Sequence, residues 1–141
     1  MTAMITTSAF DCGRAQIRPH RRHLATVVTI DGEIDALNID RVIERARRFV
    51  LAKDPLVLDV SNVNRCAAEG VLLLNVIAEE CHAAEVEWML VPGTAIADVL
   101  RDNGNEAMFP MACSVREALH HFADGIDRRR QLLLPLVRKT A

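Results

Sequence analysis

The chain has 141 residues, half of them apolar and 26% charged, which is enough for one buried core and hardly for two. Its net charge of −2 hides an uneven spread: residues 25–124 hold 8 Lys+Arg against 17 Asp+Glu, while the compensating bases sit outside that region, at Arg14, Arg18, Arg21 and Arg22 and again at Arg128, Arg129, Arg130, Arg138 and Lys139. An acidic body argues against DNA as a ligand, no run approaches the roughly 20 apolar residues of a membrane span, and Met1 to Phe10 lacks the basic start and long apolar middle of a secretory leader.

Ala15 to Arg18 reads as a first strand, with Pro19 to His23 as its connection. Leu24 to Ile30 alternates and is rich in β-branched residues, and Asp31-Gly32 then reads as a closing turn. Ile39, Val42, Ile43, Ala46 and Val50 recur at helical spacing and predict a helix over 38–52, with Asp35 or Asn38 as cap. Leu56 to Val60 is an apolar run broken only by Asp59, as expected for a strand covered on both faces, and it ends in the polar residues Ser61, Asn62 and Asn64. A second helix is predicted over 69–84, its first turns buried nearly all round. Trp88 to Val91 gives another inner strand, and Pro92-Gly93 punctuates it. A third helix starts near Thr94 and stops at Asn103-Gly104. Met108 to Cys113 is expected to form a last strand, and Ser114 with Glu117 matches a capping box opening a fourth helix to about Asp124. The order predicts an α/β domain: a mostly parallel or mixed sheet of about five strands with four helices. The expected division is a flexible or strand-pairing N-terminus over 1–13, the domain over 14–124 and a basic, apolar C-terminal extension over 125–141, with a short helix near Pro135 that covers the sheet or serves as a contact.

The segment Asp31-Gly32-Glu33-Ile34-Asp35 resembles the Gly-Glu-Leu-Asp turn before the first helix of STAS domains, the fold of anti-sigma-factor antagonists. Leu58-Asp59-Val60-Ser61-Asn62-Val63 resembles their Leu-Asp-Leu-Ser-Gly-Val strand, and Asn103-Gly104 followed by Met108-Phe109 resembles the end of their third helix. The resemblance implies a partner switch: the antagonist binds an anti-sigma factor that is also an ATPase-like kinase, and phosphorylation of one serine in an Asp-Ser-x-Gly segment breaks the complex. Counting from Asp59 brings that segment to Ala67, Ala68, Glu69 and Gly70, so alanine stands at the phosphoserine position, Ala68. A phosphoserine would bring about −1.5 to −2 charges to a helix N-terminus, and alanine has no oxygen to carry the phosphate. Binding is then expected to be constitutive or controlled by other means.

The expected docking surface comprises Asp35, Asn38, Ser61, Asn64, Ala67, Ala68, Glu69 and Gly70. Glu69 either imitates the phosphorylated state or simply suits the helix dipole. Ser61 is a further hydroxyl, read as satisfying local backbone groups. Cys66 precedes a helix N-terminus, where a thiol pKa can fall, which makes it a candidate redox switch; the alternative is packing alone. The cysteines, Cys12, Cys66, Cys81 and Cys113, are far apart with no CxxC pair, which fits reduced thiols in a cytoplasm. No phosphate loop, HExxH or Gly-x-Ser-x-Gly occurs, so no enzyme, cofactor or metal site is expected; His120-His121 face different ways, and Cys12, His20 and His23 form only a loose set. Three classes follow: an antagonist-like binding module, a STAS sensor or scaffold that binds a nucleotide or small molecule or self-assembles as a homodimer, and a thiol redox enzyme, which the lack of CxxC disfavours.

Overall fold

The computed structural model describes residues 9–22, 24–104 and 106–140. Five strands form one sheet in the order in which they occur: β1 Phe10–Cys12, β2 Ala15–Arg21, β3 Thr26–Ile34, β4 Leu56–Cys66 and β5 Trp88–Val91. β1–β2 and β2–β3 are antiparallel, while β3–β4 and β4–β5 are parallel, so the sheet is mixed. The helices are α1 Ile39–Val50, α2 Gly70–Ala84, α3 Gly93–Asp102 and α4 Val115–Thr140.

Alternation along the inner strands sorts their side chains to the two faces of the sheet. Val28, Ile30, Leu56, Leu58, Val60 and Leu90 enter the larger core with α1, α2 and α3. Val27, Val57, Met89 and Val91 meet Ala118 and Phe122 of α4 on the opposite face. The apolar runs of β4 and β5 are thus explained by cover on both sides.

Several boundaries differ from the sequence reading. Asp31-Gly32 does not end β3: Gly32, at φ +100°, sits beside a register irregularity, and the strand continues to Ile34. Glycine is required there, because a Cβ would lie 2.2 Å from the carbonyl oxygen of Arg14. Pro19 belongs to β2 and not to a connection: it pairs with Val28 of β3, and among the described residues β1 reaches only Ile17. β4 does not stop at Ser61; its polar half pairs with β3 alone and reaches Cys66. Met108 to Cys113 is no strand. Glu106–Met108 is a 3-10 turn, Pro110 has no N–H to give, and a single bridge joins Met111 to Leu90. The helix expected to end near Asp124 is instead continuous to Thr140, passing Gly125 and Pro135 without a separate appended helix. Its cap is as read, with the Glu117 N–H donating to Ser114 Oγ at 3.1 Å. The expectations for residues 1–8 and for the packing of the apolar run after Arg130 lie outside the described residues, as does His23 of the loose Cys/His set.

Candidate functional site

β3 and β4 end side by side, with Ile34 opposite Cys66, and the Ala67 N–H donates to the Ile34 carbonyl at 2.8 Å. The β3–α1 loop and the β4–α2 loop therefore leave the same end of the sheet together. This brings Asp35 near Ala67.

The first loop is fixed by reciprocal Asx hydrogen bonds. Asp35 Oδ1 accepts from the N–H groups of Leu37 and Asn38 at 2.9 and 3.0 Å. Asn38 Oδ1 accepts from the Asp35 N–H at 2.9 Å, and its Nδ2 donates to the Glu33 carbonyl at 2.8 Å. Asn38 is only 2% exposed, so it shapes the loop from inside and is not a surface contact. Neither side chain caps α1; both are spent on the turn before it.

In the second loop Ala68 is exposed and Ala67 and Glu69 are half-buried. The N–H groups of Gly70 and Val71 donate to the Ala67 and Ala68 carbonyls at 2.9 and 3.2 Å, so the chain winds into α2 without a side-chain cap. Cys66 donates its S–H to the Ala67 carbonyl at 3.3 Å and lies against the buried Gly70. Burial, then the neighbouring Glu69 carboxylate, push the Cys66 thiol up to about 11. Of the two readings the sequence left open, a lowered pKa at the helix N-terminus and packing alone, the direction favours packing: desolvation outweighs the dipole, and the group is held as a thiol at neutral pH. Ser61 lies farther back on β4, where its Oγ donates to Asp59 Oδ1 at 2.6 Å, so the structure does not bring it to the Ala68 loop. Asn64 is exposed on β4, close before the loop.

Between the loops is a groove of about 300 Å³ lined by Arg14, Glu33, Ile34, Asp35, Arg65 and Cys66, with Ala67 at its edge. Glu33 bridges two arginines at the mouth, at 3.3 Å from Arg14 and 3.9 Å from Arg65. Leu37 of the first loop is 87% exposed and Leu72 of the first turn of α2 50%. The sequence predicts first turns of α2 buried nearly all round; Leu72 is exposed there instead, four residues after Ala68. Arg14, Glu33, Arg65 and Leu37 escaped the sequence reading. Only Leu37, an apolar residue stranded between Asp35 and Asn38, carried any local signal.

Among the described residues there is no group of three or more His, Cys, Asp or Glu able to hold a metal, and no helix is long and apolar enough to cross a membrane. The four cysteines are free.

The STAS domain model matches residues 15–118. Osmosensory protein A of Mycobacterium tuberculosis is 51% identical over 138 residues, which cover 95% of this chain and 87% of that protein. Among solved structures, an anti-sigma factor antagonist from Mycobacterium paratuberculosis superposes with a TM-score of 0.64 at 22% identity, over 76% of this chain and 92% of that one. The anti-sigma factor antagonist SpoIIAA in its unphosphorylated form gives 0.62 at 13% identity, over 77% and 96%. At such identities the two structures speak for the fold, and the family match and the mycobacterial relative speak for membership. On these grounds the chain belongs to the STAS domain family.

Proposed function

We propose that this protein is an antagonist-like binding module, not an enzyme, that docks an anti-sigma factor or related ATPase-like kinase in the cytoplasm through the paired loops, with no phosphate switch at Ala68. The observation that supports this most is the surface around Ala68. Leu37 of the first loop and Leu72 of the first turn of α2 are exposed, and Arg14, Glu33 and Arg65 line the groove between the loops; exposed apolar side chains near charged ones suit a protein partner. The structural neighbours are named anti-sigma factor antagonists. The name of the mycobacterial relative points to osmotic stress as the condition in which to look.

Affinity capture from the native cells, with mass spectrometry of what is retained, tests this reading. The natural chain is expected to retain an ATPase-like anti-sigma factor, and Leu37→Asp with Leu72→Asp to lose it. Ala68→Ser is expected to hold the same partner until ATP is added and then release it. Retention by the double aspartate variant would mean that the surface lies elsewhere. Recovery of self-complexes alone would turn the reading toward a scaffold.

A further inference from the structure

At the far end of the sheet from the paired loops, α2, α4 and the start of β5 line a second cavity, open to solvent, of about 500 Å³. That is within the usual range for small-molecule sites. Its floor is apolar and well buried, with Val86 and Met89 at 8% and Phe122 at 2% exposure. Its mouth carries His82 from α2 and His121, Arg128 and Arg129 from α4. Arg129 is already engaged, 3.0 Å from Glu87 and donating through Nε to the Gly125 carbonyl at 3.3 Å. Arg128 is exposed and has no ion-pair partner among the described residues.

Gly125 supplies an independent sign. It lies inside α4, where glycine is about 1 kcal/mol less favourable than alanine. Neither its backbone nor its packing calls for it: its φ is not positive, and a Cβ would meet only Arg129 Nη2, at an ordinary 3.7 Å. What the missing side chain does is leave the cavity wall bare.

We propose that this cavity binds a small amphipathic anion, with its aromatic or short alkyl body on Met89 and Phe122 and its acidic head at Arg128. The apolar floor supplies area and the unpaired guanidinium supplies the sign of charge. The site stands apart from the docking loops and does not rest on the partner reading.

Trp88 lines the cavity and is the sole tryptophan of a chain without tyrosine, so its emission reports this place alone. The probe is 1-anilinonaphthalene-8-sulfonate, set beside its neutral counterpart N-phenyl-1-naphthylamine. The sulfonate is expected to saturate at one equivalent and to quench Trp88 by energy transfer, with the neutral dye weaker by about tenfold. Arg128→Glu is expected to weaken the sulfonate by about tenfold or more, and Gly125→Leu to abolish saturable binding without lowering Tm. Equal affinity for the neutral dye would overturn the anion assignment. Unquenched Trp88, or unchanged binding in both variants, would overturn the site. Quenching on raising protein concentration alone, with a larger sedimentation coefficient, would mean that a second copy fills the cavity, and would overturn it too.

Discussion

Gly70 rests directly on the Cys66 thiol, and replacing it with alanine gives a measurable account of how tightly α2 is seated on β4. The added Cβ would lie 2.2 Å from Cys66 Sγ, far inside contact distance, yet 4.0 Å from Cys66 Cβ. Either the thiol rotates away and gives up its bond to the Ala67 carbonyl, or the start of α2 lifts. Overpacking of this kind costs about 1–3 kcal/mol. Alanine returns at most about 1 kcal/mol of helix propensity at this position, so Gly70→Ala should lose about 1–2 kcal/mol. Cys66→Ala removes the colliding atom and leaves an ordinary contact, so the double variant should recover nearly all of that loss. Urea unfolding followed by Trp88 fluorescence, run as a double-mutant cycle, reads the coupling directly. A single variant as stable as the natural chain, or a double variant no better than the single, would refute the reasoning, because the thiol would then not be what holds α2 in place.

Removing the Asn38 side chain should be costly because it is buried and ties the loop together. Asn38→Ala leaves the Asp35 N–H and the Glu33 carbonyl without their bonds in a buried place and should lower stability by about 2–3 kcal/mol in urea titration; a loss under about 1 kcal/mol would mean that water replaces both. The thiols of Cys66 and Cys81 are both pushed up to about 11 by burial, from an ordinary 9.0. Because the unfolded chain ionises first, their contribution to stability is whole below pH 9.0 and is lost as pH rises from there to about 11. Unfolding midpoints across that window should fall, less steeply for Cys66→Ala. Alkylation of Cys66 at about pH 8 that outran the exposed Cys113 would contradict the assigned protonation.

The inner strands and the first three helices were legible because their signals are local: apolar runs for β4 and β5, and 3.6-residue spacing for α1 and α3. Boundaries went astray where a distant partner decides the outcome. Gly32 reads as a turn residue until Arg14 is seen to approach it, and Ser61 to Cys66 read as loop because their polar side chains conceal a backbone ladder with β3. The same holds for the candidate site. Counting from Asp59 reached the β4–α2 loop and the alanines in it, but the ring of Arg14, Glu33 and Arg65 gathers residues from the β1–β2 turn, β3 and β4 that no spacing connects. For Cys66 the sequence left a redox switch and packing alone both open, because its burial is a tertiary fact, while a helix N-terminus can be read from sequence.

β4 runs on after β5 has ended, so the length that carries the Ala68 loop is held by β3 on one edge only. The start of α3 packs beneath it at Gly93, at φ +69°, where a Cβ would lie 2.5 Å from the Ser61 Cα. A side chain there would have to push the Ser61 backbone aside, so the course of β4 toward Cys66 and Ala68 depends in part on a glycine that belongs to neither loop.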